Sequence, residues 1–338
     1  MNRIPVFDIA KALLIISVFW FHVPQIYLNW YQGTNEALVA INSVNYIVFV
    51  SFFMVGFFVI SGYFMNTTRT LWETIKRDSL ALLFPILILS ILSNLFYSIY
   101  PGTFSSRFGQ FLTWGYWNIG FGYWFIPALF INKLIMQILV RYVKKRTWVV
   151  LLSLLFCALG LLLKAKYASI IDVLFFKEAL LMCPMTLVGF YCKQYDFEIC
   201  RSSLRYWALG YVLTVLWLWM ANNRIDGLNL GSRFPYDYLP MALWLGVSGT
   251  AFVLYLSSWL EKSIVLKRMG QLTLPMFCLN FFFIELFIRI FMPLANKGGS
   301  VYGWLFMIVV FLCSTLCAFV LSLVLDTKYL KWSLGKWK

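Results

Sequence analysis

The sequence is 338 residues long, 62% hydrophobic, 20% aromatic and only 12% charged, whereas an ordinary soluble domain is roughly half apolar and about a quarter charged. A water-soluble fold of this length lacks the polar surface to cover so much apolar material, so a lipid-embedded protein is expected. The 28 Lys and Arg against 13 Asp and Glu give a formal charge of +15; no interleaved basic and aromatic pattern of a nucleic-acid surface accompanies it, and basic anchoring of cytoplasmic loops accounts for the excess.

Ten apolar runs follow one another along the chain: 7–28, 44–65, 79–100, 120–140, 148–163, 174–192, 206–221, 238–260, 272–294 and 301–325. Most approach or exceed the ~20 residues needed to cross ~30 Å of hydrocarbon at 1.5 Å per residue. A backbone in lipid must satisfy its own hydrogen bonds, so each run is expected to be a helix. The fold class expected is an all-α, polytopic membrane bundle of about ten transmembrane helices. The first run carries Asp8 and Lys11 and has no small-residue cleavage site, so it reads as helix one and not as a cleaved leader.

Loop charge sets the orientation. With the N-terminus placed in the cytoplasm, 19 of the Lys and Arg fall in inner loops and termini and 7 in outer loops, with Lys133 and Arg289 inside spans. That bias puts both termini in the cytoplasm and requires an even number of spans. There is no internal repeat, no low-complexity tract and no soluble portion, so residues 1–338 are expected to form one membrane-embedded domain. Two longer outer segments, 101–119 and 222–237, are candidates for shaping an external entrance. The seven Cys lie mostly inside apolar runs with no C-x-x-C pair, and the single His leaves no zinc set of the usual kind; no metal is expected.

Ionisable groups inside a bilayer are costly, so each is a functional candidate. His22, the only His in the chain, lies in the outer half of the first span. An imidazole there is either a general base or a satisfied helix–helix hydrogen-bonding group. Lys11 precedes it by eleven residues, which is 20° past three helical turns, so the two share a face about 16 Å apart. Asp8 and Lys11 form an i,i+3 pair that can neutralise itself and also fits interfacial anchoring, and Glu285 and Arg289 form an i,i+4 pair in the ninth span that also fits an intramembrane ion pair cancelling its own cost.

These residues sit within motifs. The opening RIPVFDIAKALLIISVFWFH, with Arg3, Asp8, Lys11 and His22, resembles the first-helix signature of the acyltransferase 3 family of integral membrane acyltransferases, which includes bacterial sugar O-acetyltransferases. FFVISGYFM is similar to the family's second-helix segment, through Phe57, Phe58, Ser61, Gly62 and Tyr63. The basic stretch Arg69, Lys76, Arg77 follows, then LLFP ending at Pro85. WFIPALF places Trp124, Phe125 and Leu129, and GQLTLPMFCLN places Gly270, Thr273, Phe277 and Asn280 on a late family segment in which many members carry a second His.

The resemblance implies a membrane O-acetyltransferase of the cell membrane. It would move an acetyl group from cytoplasmic acetyl-CoA to a sugar hydroxyl of a surface glycan or its lipid-linked precursor. His22 would act as general base or acyl carrier, with Lys11 and Asp8 beside it in the catalytic set. Arg69, Lys76 and Arg77, with Ser61 and Tyr63, would bind the donor. Trp124, Tyr123, Asn280 and Glu285 would bind the acceptor. A transferase for succinyl or another acyl group shares every motif. A lipid-linked glycan transporter is the rival of a different class, but it would spread polar residues along a path, whereas here they concentrate in the first, second, fourth and ninth spans.

Overall fold

The computed structural model describes residues 4–89, 91, 124–166, 173–194, 197–220 and 239–336. Among these residues the protein is α-helical with no strand. Seven helices are long and apolar enough to cross a bilayer, as a polytopic membrane bundle requires. The described residues cluster into two compact units, one of residues 1–56 and 201–327 and the other of residues 57–200 and 328–338.

The first unit is organised on α1 (Pro5–Trp30), with α2 (Glu36–Val48) and the beginning of α3 (Phe53–Tyr63) following it. Later in the chain it holds α9 (Phe197–Met220), α10 (Leu239–Trp259), α11 (Ile264–Gln271), α12 (Thr273–Ala295) and α13 (Ser300–Leu325). Pro5 opens α1 at a position where its missing N–H costs nothing. Helices α2, α10, α11, α12 and α13 all pack on α1, so Ile9, Leu14, Ile15, Val18 and Phe19 are fully buried. Asn35 caps α2 by accepting from the Ala37 and Leu38 amides, and its Nδ2 donates to the Ala295 and Gly299 carbonyls, 3.3 Å each. One side chain thereby ties the α1–α2 turn to the α12–α13 turn. Gly270 faces the backbone of α1, where a Cβ would overlap the Asp8 carbonyl. The glycine that opens the late motif is thus the residue that lets α11 lie directly on α1.

The second unit holds the end of α3, the short α4 (Leu71–Asp78) with its π-helical continuation Ser79–Leu83, and α5 (Phe125–Tyr142). It continues with α6 (Arg146–Lys166), α7 (Phe176–Leu181), α8 (Cys183–Cys192) and a C-terminal 3-10 turn, Lys331–Leu334. Gly62 and Gly189 are the crossing point of α3 and α8. A Cβ on Gly62 would overlap the Thr186 carbonyl, and one on Gly189 the Val59 carbonyl. The glycine of the second-helix motif is there because two backbones touch.

Three runs differ from their expected form. Run 44–65 is interrupted by a turn at residues 49–52, between α2 and α3. Run 174–192 is two short helices broken at Met182, two residues before Pro184, whose ring cannot accept a helical predecessor four residues back. Run 206–221 begins earlier, as α9 extends back to Phe197. Residues 90 and 92–100 of run 79–100 lie outside the described residues, as do the outer segments 101–119 and 222–237.

Candidate active site

Helix α1 carries the first cluster. It runs unbroken through Pro24, so Lys11, His22, Gln25 and Asn29 fall on one face. At the start of that face Lys11 Nζ lies 2.7 Å from Asp8 Oδ1, an i,i+3 ion pair whose side chains are 28% and 12% exposed. Farther along, His22 is half-buried between two aromatic rings, with its ring centroid 5.1 Å from Phe21 and 4.7 Å from Phe281 of α12. Phe281 in turn stacks on Trp30 at 5.8 Å. These rings fix the imidazole plane and surround it with apolar surface.

The imidazole is also polarised. His22 Nδ1 and Gln25 Oε1 are 2.5 Å apart, across one helical turn. An amide oxygen accepts only, so Nδ1 carries the proton and Nε2 carries the lone pair. Nε2 has no hydrogen-bond partner among the described residues. Gln25 is a positioning group that the sequence reading missed; its signal is the i,i+3 spacing from the only His.

Beside Phe281, Asn280 is completely buried. Its Oδ1 accepts from the Phe281 amide at 2.5 Å, while its Nδ2 is a buried donor with no partner. A buried amide N–H left unpaired costs about 1–3 kcal/mol, and such a group in a native core calls for a reason. Glu285, one turn farther on, is the opposite case. Its Oε1 takes Arg289 Nη2 at 2.6 Å and the Tyr31 hydroxyl at 3.3 Å, and Arg289 Nε donates to the same hydroxyl at 2.7 Å. This closed triangle neutralises both charges. Tyr31 was not singled out in the sequence because it is far from Glu285 along the chain.

The second cluster belongs to the other unit. Ser61 and Tyr63 flank the crossing glycine Gly62, and both are half-buried. Arg69 precedes α4, whose start is a complete capping box: Thr70 Oγ1 accepts from the Glu73 amide at 3.2 Å and Glu73 Oε2 from the Thr70 amide at 2.9 Å. Hydrogen bonds from the Thr70 amide and then the Thr70 hydroxyl hold the Glu73 carboxyl below the usual carboxylate range. Lys76 and Arg77 are exposed on α4. Arg77 Nε and Nη2 both lie 3.0 Å from Asp78 Oδ1, and Lys133 Nζ of α5 lies 2.5 Å from Asp78 Oδ2. Trp124 caps the start of α5 with its ring edge-on to Phe125 at 6.1 Å. Tyr123 and Arg3 lie outside the described residues.

The structure therefore groups Asp8 with Lys11, sets His22 against the residue that follows Asn280, and encloses Glu285 in an ion pair. It places Ser61, Tyr63, Arg69, Lys76, Arg77 and Trp124 in the second unit. Chemically, the α1–α12 cluster offers a base nitrogen and a spare donor in apolar surroundings, and the α4 cluster offers exposed cations.

No curated protein and no solved structure matches the chain. A family model described as an acyltransferase domain matches residues 4–325, nearly the whole chain. It takes in the first-helix His, both motif glycines and the late Asn, and the protein belongs to the acyltransferase 3 family of membrane acyltransferases.

Proposed function

We propose that the protein is a multi-pass O-acetyltransferase of the cell membrane, with both termini in the cytoplasm. It transfers an acetyl group from cytoplasmic acetyl-CoA to a sugar hydroxyl of a surface glycan or its lipid-linked precursor. The observation that carries this reading is the state of His22: Nδ1 is committed to Gln25 and Nε2 is left with an open lone pair. A sugar hydroxyl does not ionise near neutral pH, so its attack on a thioester needs a base at the reacting oxygen. Nε2 takes the hydroxyl proton as that oxygen bonds to the thioester carbonyl carbon. The tetrahedral intermediate then expels the CoA thiolate, and the proton on Nε2 leaves with the thiol. The unpaired Asn280 Nδ2 is suited to receive the oxyanion.

The donor is charged at its nucleotide end, and half-buried Arg69 with exposed Lys76 and Arg77 suits its phosphates. Ser61 and Tyr63, at the end of α3 just before that basic stretch, add hydroxyls for the donor. Lys11, held by Asp8, supplies a cation on the His22 face for the path of the donor arm. Trp124 and Tyr123 offer aromatic faces for a sugar ring.

The test uses membranes holding equal amounts of wild type and His22→Ala, incubated with radiolabelled acetyl-CoA. Label is expected to enter lipid-linked glycan in the wild type and to fall by about 10²–10⁴-fold in the variant. Undiminished labelling in His22→Ala would remove the mechanism.

A further inference from the structure

Lys133, Gln137 and Arg141 recur every four residues on α5 and so line one side of it. Gln137 and Arg141 reach back to the segment that joins α3 to α4, and Lys133 to the last residue of α4. Gln137 Nε2 donates to the Arg69 carbonyl at 2.9 Å, and Arg141 Nη1 donates to the same carbonyl at 3.0 Å. Lys133 Nζ pairs with Asp78 Oδ2 at 2.5 Å. From α8, Lys193 Nζ donates to the Met65 carbonyl at 3.0 Å. Gln137 and Asp78 are each 2% exposed, so two of these bonds are sheltered from competing water.

The consequence falls on Arg69. Two donors saturate its carbonyl, and the next residue begins the capping box of α4. Its backbone is thus held from both sides, and the register of α4 then sets where Lys76 and Arg77 emerge. Met65 anchors the start of this segment in an apolar cluster with Met136 and Leu139 of α5. Beyond it the basic stretch is held by three polar contacts from the same helix.

We propose that Lys133, Gln137 and Arg141 are positioning residues for the acyl donor. They hold residues 65–78 so that Arg69, Lys76 and Arg77 present their cations as a prearranged phosphate site. Prearrangement spares the ordering entropy that a loose basic segment would lose on binding. The inference rests on the donor reading given above. A merely structural role predicts a less stable protein. A positioning role predicts a change in donor affinity at constant fold.

Gln137→Leu keeps the size of the side chain and removes the donor, with Arg141 still on the carbonyl. Two measurements on the full chain in detergent or membranes test it: amide hydrogen exchange over residues 66–78, and acetyl transfer at varied acetyl-CoA. Exchange is expected to speed up in that segment. KM for acetyl-CoA should rise about three- to tenfold, the worth of one hydrogen bond, with kcat at saturating donor within about twofold. Arg141→Lys, which retains a cationic donor, should stay near wild type. Unchanged exchange in Gln137→Leu overturns the inference, as does faster exchange with an unchanged KM. The triple variant Arg69→Gln, Lys76→Gln, Arg77→Gln separates the two levels. If it raises KM while Gln137→Leu does not, the α5 positioning fails alone. If neither raises it, the donor site itself lies elsewhere.

Discussion

Two polar clusters, one in each unit, treat their groups in opposite ways. Around His22 the first unit leaves capacity unused: Nε2 has an open lone pair, and Asn280 Nδ2 is a buried donor with nothing to bond. Around Asp78 the second unit uses what it has. That carboxylate meets Lys133 on one oxygen and Arg77 on the other, and Gln137 and Arg141 share one carbonyl. Unsatisfied groups destabilise a fold and are retained where a reacting molecule completes them. Satisfied ones hold a surface in place. On the proposed function, the contrast separates the cluster that would do chemistry from the framework that would present charge.

Breaking the framework should produce the largest stability change. Lys133→Met leaves one oxygen of the buried Asp78 carboxylate without a cation while Arg77 still holds the other, and equilibrium unfolding in detergent should show a loss of about 3 kcal/mol, the lower end for a broken buried pair. Adding Asp78→Asn removes that charge and should restore most of that loss. A Lys133→Met protein as stable as wild type would mean that the pair is not what holds this region.

Asn280 sharpens the contrast from the other side. Asn280→Leu removes an unpaired buried donor of nearly the same volume, so stability should rise by about 1 kcal/mol. Activity should fall by about 10²–10³-fold if Nδ2 receives the oxyanion. A variant that gains stability and keeps its rate would assign Asn280 to packing.

The smallest expected effect concerns the cap of α4. The Glu73 carboxyl is held below its ordinary range by the Thr70 amide and hydroxyl. A group with a lowered folded pKa stabilises at pH values above its unfolded value, about 4.3, and that contribution disappears as pH falls through the lowered one. The protection of residues 71–78 against hydrogen exchange, taken relative to the intrinsic rate at each pH, should therefore fall on acidification below about pH 4. In Glu73→Gln the segment should exchange faster at neutral pH and show a flatter response to acid. An identical acid response in the variant would assign the effect to another carboxyl.

Several of these features are visible in the chain itself. Asp8, Lys11 and His22 can be placed on one face from spacing alone, since an uninterrupted helix has fixed periodicity. Gly62 and Gly270 stand out within motifs, but their partners, the Thr186 carbonyl and the Asp8 carbonyl, are contacts between segments far apart in sequence. The turn at 49–52 falls in an apolar stretch with no Gly or Pro, so hydropathy is blind to it. The break at Met182 had a marker in Pro184, which the apolar run around it concealed.

By itself, then, the sequence determined the solvent and the chemistry. Its apolar fraction demands lipid, lipid demands helices, and a lone imidazole on a motif-bearing first helix singles out the proposed reacting group. Only the tertiary structure decided which charges are working and which are neutralised. Glu285 and Arg289 look as exceptional as Lys11 until Tyr31 closes their triangle. Lys133 looks like an isolated cation in a span until Asp78 comes within 2.5 Å. Burial and pairing set the cost of a charge, and both are properties of neighbours that packing, not chain order, brings together.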